Sequence, residues 1–253
     1  MYYTVGDIGN TSTRICLLNK KSKISKSIFF ETKKIYNSGF IKKIFKKLIK
    51  YKIKKEILFS NVVPLAFKRI KYDLRGLNLK VIDIKELNLK KLIKINIYNI
   101  KQLGSDRIVN SIEGKKFKNC LIIDFGTATT FDIIKNGIYQ GGVIAPGVKL
   151  SMENLSQSTA LLPIINLKNK QKSYGKNTKD ALNAGFVWGY EGLINNIINK
   201  ITFKWKKNYK IILTGGYAIF FKKIIKKKST VDQNITIKGI SKVYRELLWA
   251  KRN

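Results

Sequence analysis

Apolar and polar positions alternate along this chain in two rhythms. Short runs follow a period of two, longer stretches repeat every three or four residues, and the mixture predicts an α/β fold. Tyr2–Asp7, Thr13–Leu18 and Lys26–Glu31 read as three strands joined by tight turns. Over Ile41–Tyr51, the apolar residues Ile41, Ile44, Phe45, Leu48 and Ile49 gather on one side of a helix. A strand over Glu56–Asn61, a helix from about Pro64 and a strand near Leu79–Ile82 follow. Arg107–Gly114 is helical. The second half repeats the theme: Cys120–Asp124 and Thr129–Ile134 form a hairpin, and Ile138–Gln140 a further strand. A long helix over Asp180–Lys200, a strand over Lys210–Leu213 and a closing helix over Ile240–Ala250 complete the expectation.

At 253 residues and 44% hydrophobic content, the chain can bury a substantial core in one or two domains. No apolar run approaches the roughly 18 to 20 residues that span a bilayer. Met1–Asn10 lacks the basic-then-apolar pattern of a signal peptide, so a soluble cytoplasmic protein without a membrane partner is expected. Cys16 and Cys120 sit in strand-like runs and are expected as buried, reduced thiols. Histidine is absent, which leaves acid–base chemistry to carboxylates and favours an oxygen-bound metal such as magnesium.

The net charge of +36 raises nucleic acid as a partner, but only six of the 51 basic residues are arginine. Base-reading interfaces favour the arginine fork, and here lysine is spread through every segment. Such an excess of Lys, Ile and Asn is what a genome biased toward A and T imposes. No specific nucleic acid is expected, only weak polyanion binding. The runs Lys42–Lys47 and Lys222–Lys228 fit solvated helix faces.

A repeated motif carries the chemistry: an apolar strand ending in Asp, one apolar residue, Gly and hydroxyl residues. It occurs as Asp7-Ile8-Gly9-Asn10-Thr11 and as Asp124-Phe125-Gly126-Thr127-Ala128-Thr129-Thr130, with Thr214-Gly215-Gly216 after a later strand. Glycine lets the backbone approach phosphates, hydroxyls and N–H groups donate to them, and a strand-end carboxylate can hold magnesium directly or through water. One such turn per half suggests a duplicated domain.

This arrangement resembles the actin/hexokinase-like ATPase group. The likeness implies two ribonuclease-H-like domains, 1–115 and 116–253, with mixed central sheets flanked by helices and a nucleotide cleft between them. Further segments narrow the likeness to the type III pantothenate kinases: Gly104-Ser105-Asp106-Arg107, Asp124–Asp132, Gly141–Gly147, Gly175-Lys176-Asn177-Thr178, Asn61-Val62-Val63-Pro64 and Ile235–Leu248.

The resemblance implies transfer of the ATP γ-phosphate to the primary hydroxyl of pantothenate, the first step of coenzyme A synthesis, by a homodimer. It assigns Asp106 as the catalytic acid–base residue; a helix N-cap is the structural alternative, and both hold together. ATP contacts fall on Asp7, Ile8, Gly9, Asn10, Thr11, Ser12, Thr13, Arg14 and Thr127. Pantothenate contacts fall on Tyr98, Gly104, Ser105, Asp106, Arg107 and Thr178, with Arg107 suited to the substrate carboxylate. Tyr98 has a plainer reading as a strand aromatic, because the interval Asn99–Leu103 lacks the family's usual proline. Asp7 is expected to hold magnesium, directly or through water, and Asp124 matches the family's site for a monovalent cation, K+ or NH4+. Two alternatives share the scaffold: another small-molecule kinase, and a non-enzymatic transcriptional accessory factor.

Overall fold

The computed structural model describes residues 1–168, 173–203, 205 and 209–249. Internal contacts divide the chain into two compact units. One comprises Met1–Lys116, Gly137–Tyr139 and the segment beginning at Asn234; the other comprises Phe117–Asn136 and Gln140–Gln233.

In the first unit, β1 (Tyr2–Ile8), β2 (Ser12–Asn19) and β3 (Ile24–Glu31) run antiparallel. They are followed by α1 (Phe40–Ile49), β4 (Ile53–Asn61), α2 (Pro64–Asp73), β5 (Lys80–Asp83), β6 (Lys94–Ile95) and α3 (Ser105–Gly114). β4 lies parallel to β1 and β5 parallel to β4, giving the order β3-β2-β1-β4-β5. The pleat sends alternate residues to opposite faces. Tyr3, Val5, Cys16, Leu18 and Leu58 pack with Ile108, Val109 and Ile112 of α3. Ile15, Leu17, Ile57 and Phe59 pack instead with Ile41 and Phe45 of α1 and Ile70 of α2. With both faces covered, a central strand has no polar face to show, and Ile57-Leu58-Phe59 is accordingly continuous apolar sequence.

The second unit is built from β7 (Cys120–Phe125), β8 (Ala128–Lys135), β9 (Ile138–Pro146), α4 (Val148–Gln157), α5 (Thr178–Thr202), β10 (Lys210–Gly215), α6 (Ala218–Lys222) and β11 (Thr230–Val231). β7 is antiparallel to β8 and parallel to β10, which is parallel to β11, in the order β11-β10-β7-β8-β9. This reproduces the order and directions of the first sheet, with β7 in the place of β1 and β10 in the place of β4. Leu121, Ile123 and Phe125 pack against Met152 of α4, Ile194 of α5 and Phe221 of α6.

β9 starts in the first unit, where Ile138 and Tyr139 pair in parallel with Lys94 and Ile95 of β6. The first unit also claims α7 (Ile235–Tyr244). Its Tyr244 ring stacks on Tyr3 at 4.6 Å, and the Tyr3 hydroxyl lies 2.7 Å from Ser241 Oγ.

The α/β class and its mixed, helix-flanked sheets follow the sequence expectation, and both cysteines are buried free thiols. Four local expectations are corrected. Ile138–Gln140 is only the start of β9, which runs through the glycine-rich stretch to Pro146 because glycine fits a strand edge where no side-chain packing is required. The closing helix begins five residues earlier, at Ile235, and passes into a π-helical turn over Arg245–Trp249; Ala250 lies outside the described residues. Of the Lys222–Lys228 run, only Lys222 belongs to a helix; Lys227 turns its ammonium to Thr202 Oγ1 at 3.0 Å and the Tyr209 hydroxyl at 3.2 Å. Finally, α4 was not expected from the sequence.

Candidate functional site

The first unit gathers its chemistry at the carboxyl ends of β1, β4 and β5. Asp7 stands near the end of β1, opposite Arg14 of β2 and Ser60 of β4. The loop beyond it closes through the Gly9 amide to Ser12 O at 3.0 Å. Thr32 braces that loop from outside: its hydroxyl donates to Gly9 O at 2.6 Å and its amide to Thr11 O at 3.0 Å. Asn10 and Thr11 are exposed, Gly9 and Ser12 half-buried, and Ile8 and Thr13 buried. The loop thus presents hydroxyl, amide and backbone N–H groups on an anchored frame. Arg14 reaches along β2, donating from Nε to Ser27 Oγ at 2.9 Å.

Asp106 enters the same region from the first turn of α3. The N-cap of that helix is Gly104, with no side-chain cap, so the N-cap alternative for Asp106 is corrected: its carboxylate accepts from the Arg107 amide at 2.8 Å, one residue inside the helix. Burial pushes the Asp106 carboxyl up, and the Arg107 amide and guanidinium partly offset this. Asp7 is pushed up to about 7, first by burial and then by the field of Asp106, against the Ser60 hydroxyl and Arg14. Asp106 and Asp7 are linked through the turn after β4: Ser105 Oγ donates to Asn61 O at 2.9 Å and the Val62 amide donates to Ile8 O at 3.1 Å.

Ser105 is fully buried and donates from Oγ to Asn61 O at 2.9 Å, while Arg107 is half-buried beside Asp106. Tyr98 is not brought in. It lies beyond β6 and outside any strand with its side chain fully exposed, so it is not a strand aromatic. Sequence reasoning missed Ser60, Asp83 and Thr32. Ser60 and Asp83 become visible only from strand register; Thr32 required the return of the chain after β3.

In the second unit, Asp124 is the penultimate residue of β7 as Asp7 is of β1, and the following turn is tied by the Gly126 amide to Ala128 O at 3.1 Å. Thr127 is exposed at its tip. Gly215 holds a left-handed φ of +85°, and a Cβ there would fall 2.5 Å from Asp124 Oδ1. The missing side chain leaves room at the carboxylate. Thr178 is the first residue of α5, whose N-cap Asn177 accepts from the Asp180 amide at 2.9 Å. It lies on the rim of a groove of about 930 Å³ walled by Pro146, Leu155, Phe186 and Leu193. Within that groove Ser151 and Tyr190 share a hydrogen bond of 2.8 Å. Among the described residues, no group of three His, Cys, Asp or Glu side chains is placed to hold a metal, and no helix is long and apolar enough to cross a membrane.

The sequence model of the type III pantothenate kinase family matches residues 4–200. A type III pantothenate kinase of Pelagibacter ubique is 48% identical over 238 residues, which span 93% of this chain and 96% of that protein. Among solved structures, a Campylobacter jejuni protein assigned to the Baf family of transcriptional activators is 21% identical with a TM-score of 0.63, covering 96% of this chain and 98% of its own. A Sinorhizobium meliloti protein assigned as a 2-dehydro-3-deoxygalactonokinase is 10% identical with a TM-score of 0.60, covering 98% of this chain and 97% of its own. At these identities the two structures speak for the fold alone.

Proposed function

Since the chain belongs to the type III pantothenate kinase family, we propose that it phosphorylates pantothenate with ATP to give 4′-phosphopantothenate, the first step of coenzyme A synthesis. The observation that carries the site assignment is the turn after β4, whose bonds to Ser105 and to Ile8 hold the neighbours of Asp106 and Asp7 together within one unit. Asp106 is the general base: it accepts the proton of the pantothenate primary hydroxyl as the oxygen bonds to the γ-phosphorus and the β–γ bridging oxygen leaves with ADP. A carboxyl raised above its ordinary range is better matched to that task near neutral pH than an unperturbed one. Residues Asp7 to Arg14 cradle the phosphates through loop N–H and hydroxyl groups, Thr127 adds an ATP contact, and Arg107 pairs with the pantothenate carboxylate. Ser105, Gly104 and Thr178 complete the acceptor contacts; Tyr98, left fully exposed, is not among them.

The residues fit magnesium arriving with ATP, because one partly buried carboxylate plus phosphate oxygens is the donor set this ion favours. Asp7 would hold it, and the ion would neutralise phosphate charge. Asp124, with the space left by Gly215, fits a monovalent cation, K+ or NH4+. On the family likeness, the protein works as a cytoplasmic homodimer. The test is an ADP-release assay with magnesium, ATP and potassium, with and without pantothenate. Pantothenate-dependent release is expected. ADP release indifferent to pantothenate but stimulated by a sugar would transfer the reading to another kinase of the same fold.

A further inference from the structure

The turn that follows β4 is held more firmly than a turn needs. Asn61 Oδ1 accepts from the Val63 amide at 2.8 Å, a local bond that suffices to form such a turn. Three further bonds lead away from it. The Val62 amide donates to Ile8 O at 3.1 Å, tying the turn to the end of β1 one residue past Asp7. Asn61 O accepts from Ser105 Oγ at 2.9 Å, tying it to the residue before Asp106. Asn61 Nδ2 donates to Asp83 Oδ2 at 3.1 Å, at the end of β5.

Asp83 is itself fixed. Its Oδ1 accepts from the Lys85 amide at 2.9 Å, and its own amide faces Glu86 Oε1 at 3.4 Å in a capping box. Both carboxylate oxygens are therefore committed, one to each neighbour. Burial raises its carboxyl, so the fold keeps a poorly solvated acid where a neutral acceptor would serve the capping role alone.

We propose that Asn61 and Asp83 are a positioning pair for phosphoryl transfer, in which Asp83 locks the turn that holds Asp106 on α3 in register with Asp7 on β1. The inference deepens the kinase reading and rests on it for its link to turnover. Neither residue touches the reacting atoms; they act through the Ser105 and Ile8 anchors. Phosphoryl transfer asks chiefly for placement, and errors near 1 Å cost about 10²-fold in rate.

The test is a reciprocal exchange in the full chain. Asn61→Asp alone sets two carboxylates face to face. Asp83→Asn alone turns an amide donor toward the Asn61 amide donor once its oxygen caps Lys85. The double exchange restores one donor and one acceptor at each contact. Each single variant is expected to lower kcat about tenfold or more, with the KM for ATP within about twofold of native, and the double variant to recover most of the loss. Singles with native kcat, or a double variant no better than either single, would overturn the pairing. Ser105→Ala removes the link from Asn61 to α3: a several-fold fall in kcat with the KM for pantothenate within about twofold of native supports the route, whereas an unchanged kcat, or a loss confined to the KM for pantothenate, refutes it. Amide hydrogen exchange over residues 104–108 reads the coupling without turnover. Faster exchange in the singles and native exchange in the double are expected, and uniform exchange across all four proteins sinks the inference. A native chain inactive on pantothenate would count against the kinase reading, while the exchange arm would still decide the pair.

Discussion

Asp106 and Asp7 are chemically alike but are held for different ends. In the proposed reaction Asp106 supplies a basic oxygen to the acceptor hydroxyl, and Asp106→Asn removes it while keeping shape and hydrogen-bond capacity. Turnover with pantothenate is expected to fall at least about 10²-fold with the thermal unfolding midpoint near native; activity within tenfold of native would reassign the base. Asp7 has a folded-state pKa of about 7 against 3.8 for an unperturbed carboxyl. Between those values the native state binds more protons than the unfolded chain, so the contribution of Asp7 to stability falls as pH rises through that window. Asp7→Asn, in buffer free of metal and nucleotide, is therefore expected to exceed native stability by a few kcal/mol at about pH 8, with the difference vanishing toward about pH 4. Denaturant titrations at the two pH values check it; a pH-independent difference would mean that the charge is not the cause. A cation bound beside Asp7 would favour its ionised form and offset this penalty.

These residues also mark how far the sequence was legible. The two Asp-x-Gly turns and the Gly104–Arg107 segment could be picked out because their residue pattern is local, and the structure places each at the end of a strand or the start of a helix. Asn61 was noticed only as part of a motif, and Asp83 not at all, because their relation depends on the parallel register of β4 with β5, which leaves no periodic trace. Tyr98 shows the converse: an aromatic in a plausible interval, left fully exposed by the chain's path.

At the scale of elements, strands were read more reliably than helix ends. Hydrophobic runs fix a strand wherever both sheet faces are covered, as in β4 and β7. Helix limits depend on what packs alongside, and α7 begins earlier than its apolar pattern suggests: Ile235 is buried and Ile237 packs in the core that α7 shares with α3. α7 presses closely on α3: a Cβ at Gly239 would fall 2.0 Å from Val109 O. Gly239→Ala is expected to push the helices apart and destabilise the protein by about 1–3 kcal/mol, lowering the unfolding midpoint by several degrees. Because α3 carries Asp106, kcat is expected to fall further than the stability loss alone explains. Calorimetry and kinetics on one preparation separate the two effects, and a midpoint at or above native would show that the backbones relax without strain.

Taken whole, the molecule carries a charge of +36 without an arginine-rich reading surface. Its binding to duplex DNA is expected to be indifferent to sequence and to weaken steeply between about 50 and about 200 mM salt, as counterion release requires. A salt-resistant, sequence-selective complex, measured by fluorescence anisotropy, would instead favour the regulator alternative. The first unit has a further property: its core joins the two extremes of the described chain. Tyr3 meets Tyr244 and Ser241, separated by 238 residues in the latter case. On a ribosome, β1 is made before α7 and must wait for more than 200 further residues to be translated before its partner helix emerges. The second unit, whose residues all precede Asn234, can mature earlier. The unit that carries Asp7 and Asp106 is thus begun first and completed only after the other, and a ribosome-stalled chain ending before Asn234 should leave the β1 segment open to protease while the β7–β10 segment is already protected.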